Sequence, residues 1–149
     1  MKKRTRKIDK IVSLAANEER RTGQEAGRSR QRLDEQLSRL GELNAYRHNY
    51  ASKSPSGSSV SAAQWQDYQN FLQRLDGAVR AQQQIVSDCE QNLETHRQRW
   101  LAKRRRLESL ERVFNRYQQQ DRAYEEKLEQ KALDDLPAAQ NVGFGTDDE

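Results

Sequence analysis

The sequence encodes an all-α fold, a long antiparallel two-helix coiled-coil hairpin. Three patterns lead there: a strong heptad repeat in the second half, a weaker one in the first half, and a single break between them. From Trp65, steps of seven give Leu72, Val79, Val86, Leu93, Trp100, Leu107, Phe114, Asp121 and Leu128, of which only Asp121 is polar. The companion series is Tyr68, Leu75, Gln82, Cys89, His96, Lys103, Leu110, Tyr117, Tyr124 and Lys131, more mixed but in phase. Apolar residues alternating at spacings of three and four over so many turns specify a coiled-coil helix rather than a short amphipathic one. Proline is absent from the stretch between Ala62 and Lys131, which holds one glycine, Gly77. A helix of that length would run roughly 105 Å at its usual rise.

The first helix is expected from about residue 5 to 51. Its seam reads Ile8, Val12, Ala15, Glu19, Thr22, Ala26, Ser29, Leu33, Gln36, Leu40, Leu43, Arg47 and Tyr50. Gly23 and Gly27 each weaken a helix interior by about 1 kcal/mol relative to Ala, so this middle segment is expected to be loose. Small residues there also let a second helix approach closely. Residues 52–61 read SKSPSGSSVS, with Pro55 and Gly57 among serines, and stop one helix before the next begins. A loop over residues 52–59 between heptad helices favours an antiparallel pair, the second helix spanning about 60–133 with Ser61 or Ser59 as its N-cap.

Folding about the loop centre would pair residue i with about 111 − i. On that register the second helix outruns the first, and Leu107 to Lys131 is expected to lack an intramolecular partner while its apolar stripe continues. Apolar surface left in water costs about 25 cal/mol per Å², so such a stripe implies a partner. Residues 134–149, with Pro137, Gly143, Gly145 and an acidic end, read as a disordered tail. Residues 1–133 form a single hairpin domain on this reading.

Composition agrees with an extended coil. The 149 residues are 33% hydrophobic and 34% charged, with mean hydropathy −1.23, too polar for a compact core of that size. The net charge of +4 and pI near 9.3 permit an acidic partner. Cations cluster in the first ten residues, where Lys2, Lys3, Arg4, Arg6, Lys7 and Lys10 oppose only Asp9, and again in the run Lys103–Arg106. The lone Cys89 sits on the seam as a small hydrophobe, which suits a reducing compartment. The basic start resembles a signal peptide until Asp9 and Lys10 interrupt its apolar run, and no stretch reaches the roughly 20 apolar residues of a membrane span. A soluble, cytoplasmic chain is expected.

Enzymatic chemistry has no foothold in the sequence. A P-loop motif is missing, and His48 and His96 stand on different helices without the spacing of a metal site. No catalytic residue, cofactor or small-molecule substrate is expected. Two binding readings stand beside each other on charge and periodicity alone. One is a nucleic-acid-binding coiled coil using the basic start and Lys103–Arg106, disfavoured because no base-stacking or basic-region motif accompanies the charge. The other is a self-associating structural protein that covers its stripe with a second copy.

A third reading comes from resemblance. The segment Leu43-Asn-Ala-Tyr46-Arg47-His48-Asn-Tyr50, the Phe71-xxx-Leu75 pair and the stretch Trp100-xx-Lys103-xxx-Leu107-Glu108-xx-Glu111-Arg112 resemble the FliJ family of the flagellar type III export apparatus. The likeness extends over most of residues 1–133. It implies a non-enzymatic, stalk-like coiled coil that couples the export ATPase ring, FliI, to the cytoplasmic domain of the export gate protein FlhA and interacts with export chaperones. It also implies a cytoplasmic protein peripherally associated with the inner-membrane export apparatus. The family's gate-contact surface maps to Leu43, Tyr46, Tyr50, Phe71, Leu75 and Ala78, while Gln82 stands where a histidine can occur. Among these, Tyr46 and Phe71 lie beside the seam and are expected to be exposed. For the ATPase ring, the basic and apolar residues Lys103, Arg104, Arg105, Leu107, Leu110, Phe114, Tyr117 and Tyr124 are the expected contact set.

Overall fold

The computed structural model describes residues 2–57 and 59–136. Two helices, α1 (Lys2–Ser52) and α2 (Ala62–Asp134), pack antiparallel, and the described residues contain no strand. The fold is therefore the all-α helical hairpin that the heptads specify. Residues 137–149, most of the expected tail, lie outside the described residues.

Helix α2 starts where a capping box closes it. The Gln64 amide donates to Ser61 Oγ at 3.1 Å and the Ser61 amide donates to Gln64 Oε1 at 3.1 Å, so two otherwise unpaired donors are satisfied reciprocally. Helix α1 ends differently, with no basic residue in its last turn. The Tyr68 hydroxyl reaches across from α2 to the last turn of α1, 3.0 Å from the Ala51 carbonyl and 3.3 Å from that of Tyr50, which also accepts from the Lys53 amide at 3.2 Å. Between the helices, Gly57 has φ +127°, a left-handed conformation that glycine adopts without a Cβ penalty.

The chain groups into two compact units, one of residues 17–105 and one of residues 1–16 with 106–149. In the first, α1 buries Thr22, Ala26, Ser29 and Leu33, and α2 buries Tyr68, Leu75, Val79, Gln82, Val86 and Leu93. Leu33, Val86 and Leu93 form the centre of the core, with Leu40 and Cys89 packed against it. Gly23 makes room for an indole: a Cβ there would stand 3.0 Å from Trp100 Nε1. That same N–H donates to Glu19 Oε1 at 2.9 Å. The glycine therefore marks a close approach, and the helix runs through the segment that the sequence marked as loose.

In the second unit only Ala15 is buried among the described residues, while Thr5, Ile8 and Val12 of α1 and Leu107, Leu110, Phe114 and Tyr117 of α2 are half-buried. Thr5 donates to the Asp121 carboxylate, Arg4 donates to Gln120 Oε1 and lies 3.8 Å from the Tyr117 ring centre, and Lys2 pairs with Glu125 at 3.1 Å. The first turn of α1 carries no acid, so its cations sit at the wrong end of the helix dipole. Acceptors on α2 relieve two of them, Lys2 and Arg4.

These contacts correct the expected register. Gln36 meets Gln82, and Tyr50 stacks on Tyr68, each seven residues further along α2 than 111 − i. Thr5 meets Asp121, about two heptads further. The stretch Leu107 to Tyr117 is consequently not an unpartnered overhang, since Arg4 reaches Tyr117 and Lys2 reaches Glu125. Full exposure begins beyond Asp121: Tyr124, Leu128, Leu133 and Leu136 are all open to solvent. The cause lies at the loop. Residues 62–67 of α2 are exposed and precede Tyr68, the first buried residue of α2 and one that bonds to α1, so the chain does not fold about the loop centre.

Candidate partner-binding surfaces

Five aromatic rings gather near the loop in the Asn17–Arg105 unit. Tyr50 stacks on Tyr68 with ring centres 5.2 Å apart and tilts against Phe71 at 4.6 Å. Tyr46 meets Phe71 edge-on at 6.5 Å, and Trp65 leans on Tyr68 at 5.7 Å. Such pairs add about 0.5–1.5 kcal/mol each beyond the area they bury, so the cluster is a preformed surface rather than a set of loose side chains. Its outer members remain open: Tyr46 is 54% and Trp65 45% exposed. Beside them runs an open groove of about 590 Å³, lined by Tyr50, Lys53, Pro55, Tyr68, Phe71 and Arg74 among others.

The structure distributes the expected gate-contact residues unevenly. Leu75 is core, Leu43, Tyr50 and Phe71 are half-buried, and Tyr46 and Ala78 are exposed. Phe71 is less open than its place beside the seam suggests, because Tyr46 and Tyr50 close on it from α1. Gln82 is buried, its amide donating to the Gln36 carbonyl at 3.0 Å and to Gln36 Oε1 at 2.8 Å. Trp65 and Tyr68 share the heptad seam, and the structure separates them: Tyr68 is buried, whereas Trp65 is open. The signal for that difference is the capping pair Ser61/Gln64, which starts α2 before α1 can cover Trp65.

Arg47 and Asp76 link the helices next to this cluster, and the hydrogen bond to Asp76 together with its negative charge raises the Arg47 guanidinium above its ordinary value. Further along the same unit, His96 is half-buried with Nδ1 4.0 Å from Glu25 Oε2, a packed seam residue.

Of the residues expected at the ATPase ring, Lys103 is half-buried and pairs with Glu18 at 2.7 Å, and Arg104 lies over the Trp100 ring at 5.6 Å. Arg105 is exposed. The opposing groups of Lys103 and of the basic start are thus distinct: Glu18 for the former, residues 117–125 for the latter. In the unit of residues 1–16 and 106–149, Leu107, Leu110, Phe114 and Tyr117 are half-buried, and Tyr124 alone of the set's apolar members is open. Among the described residues no helix is long and apolar enough to cross a membrane.

Comparison with known proteins gives the family of the chain. Two curated relatives, both described as "Flagellar FliJ protein", come from Escherichia coli (strain K12) and Salmonella typhi. They are 29% and 26% identical over 113 residues, which is 75% of this chain and 76% of each relative. The family model described as "Flagellar FliJ protein" matches residues 4–142, nearly the whole sequence, and the chain therefore belongs to the flagellar FliJ family.

Proposed function

We propose that this chain is the stalk-like component that couples the export ATPase ring, FliI, to the cytoplasmic domain of the gate protein FlhA and that also engages export chaperones. Family membership makes it a flagellar export component. The finer assignment rests chiefly on one observation: solvent-facing Tyr46 and Trp65 are held in place by Tyr50, Tyr68 and Phe71, which gives a rigid aromatic patch of the kind that anchors protein partners. The non-enzymatic, peripherally membrane-associated role follows from the same reading.

For the ATPase, the open Tyr124 and the exposed arginines Arg104 and Arg105 are the first contacts, and Lys103, Leu107, Leu110, Phe114 and Tyr117 support them from the seam. Apolar contacts supply most of the affinity, and the charges set encounter rate and salt dependence.

The test is a pull-down of the gate domain and of the ATPase with the full chain. Tyr46→Ala is expected to weaken gate binding at unchanged helicity, and Phe71→Ala to weaken it with some loss of stability. Normal gate capture by both variants would remove the surface assignment. A chain ending after Glu126 keeps the polar partners of Lys2, Arg4 and Thr5 and the whole ATPase contact set, and should capture the ATPase normally, whereas Tyr124→Ala in the full chain should lower ATPase capture. Arg104→Ala with Arg105→Ala should slow ATPase association and yet reach near-normal capture at higher concentration. A nucleic-acid binder would instead lose its ligand with the arginines and ignore Tyr124.

A further inference from the structure

The start of α1 carries two stripes, and only one of them is explained by the coil. Thr5, Ile8, Val12 and Ala15, at spacings of three and four, turn toward α2 and are buried or half-buried. Lys3, Lys7, Lys10 and Leu14, also at spacings of three and four, make a second stripe that is exposed throughout. None of the three lysines has an ion-pair partner among the described residues, in contrast to Lys2, which Glu125 holds. Next to them stand Ile11, 39% exposed, and Leu14, 66% exposed, neither of which contributes to the buried stripe. Asp9, the one acid in the segment, lines a groove with Lys2, Thr5, Arg6, Phe114 and Asp121, a set that includes none of the three lysines.

We infer that this outward face of α1 is a docking site for an anionic phospholipid surface. Two physical arguments choose that occupant. Lys3 stands at the positive end of the helix dipole and the three uncompensated cations repel one another along the stripe, and a dense sheet of negative headgroups relieves both at once. Nucleic acid would satisfy the lysines equally well, but its phosphate backbone offers nothing to Ile11 and Leu14. A bilayer does, because a helix lying in the interface places its cations at headgroup level and its aliphatic side chains at the acyl boundary. Opposite faces of one helix thus serve the coil and the membrane.

Vesicle flotation with the full-length protein tests this, using phosphatidylglycerol/phosphatidylcholine vesicles against vesicles of phosphatidylcholine alone. The chain should float with the anionic vesicles only, and less as salt is raised. Each lysine is expected to be worth about fivefold in partitioning, so Lys3→Gln/Lys7→Gln/Lys10→Gln should lose on the order of a hundredfold. Ile11→Ser/Leu14→Ser should lose a smaller factor and leave the salt dependence in place. Both variants alter the solvent face, and circular dichroism should report unchanged helicity. Absence of flotation with anionic vesicles overturns the proposal, and so does flotation that survives the triple lysine change. If a DNA duplex competes the vesicles away and its binding is indifferent to Ile11→Ser/Leu14→Ser, the face is a nucleic-acid site and the lipid assignment falls.

Discussion

The two units use one heptad pattern to different depths. Residues 17–105 close their seam with Leu33, Leu75, Val79, Val86 and Leu93 buried, and with small residues such as Thr22, Ala26 and Ser29 alongside. Residues 1–16 and 106–149 bury Ala15 alone among the described residues, and the remaining seam contacts are half-buried rings and aliphatics bordered by polar links from Lys2, Arg4 and Thr5. Burying an aliphatic side chain fully contributes about 1.5–3 kcal/mol, whereas an exposed ion pair contributes about 0–1. The lesson is that an uninterrupted helix need not be uniformly stable. The Asn17–Arg105 unit should hold its amides longest in hydrogen exchange, and the other should open first.

The sharpest way to break this contrast is to cut equal-sized holes in the two seams. Leu33→Ala should cost about 3 kcal/mol, within the usual range for a buried leucine, and Leu107→Ala at a half-buried position about half as much. Urea unfolding of both variants measures the difference, and equal losses would mean that the units are equally consolidated.

A smaller effect separates the two glycines. Gly27→Ala meets nothing within 4 Å and should stabilise the helix by up to about 1 kcal/mol through propensity alone. Gly23→Ala gains the same propensity but presses its Cβ against Trp100 at 3.0 Å, and should come out destabilising by about 1 kcal/mol. Thermal unfolding decides the signs. Fluorescence of Trp100 should change in the Gly23 variant and not in the Gly27 variant, once the signal of Trp65 is removed by substitution.

The smallest expected change comes from the polar links. Arg4→Ala removes both the Gln120 hydrogen bond and the Tyr117 ring contact and should cost no more than about 1 kcal/mol. The loss should appear as faster amide exchange in residues 2–12, with the rate around Leu33 unmoved.

Most of the architecture was legible without coordinates. Every residue of the α1 seam from Ile8 to Tyr50 is buried or half-buried, as are the α2 positions from Tyr68 to Asp121, because a three-four spacing puts them on one face whatever the partner helix does. The serine-proline-glycine break and the Ser61 cap were equally local and equally readable. Of the loop-end surface, Tyr46 could be placed by its offset from the seam, whereas Trp65 looked like core. Register is what only the tertiary structure decided. Sliding one heptad helix past another by seven residues still sets seam residues opposite seam residues, so periodicity cannot distinguish 111 − i from a pairing one or two heptads further on. Pairs far apart in sequence make the choice: Gln36 with Gln82, Glu19 with Trp100 in the notch of Gly23, Tyr68 on the last carbonyls of α1, and Thr5 with Asp121. Each depends on a donor meeting an acceptor, or a ring meeting a glycine, across the helix pair, and that complementarity leaves no trace in the period of either helix.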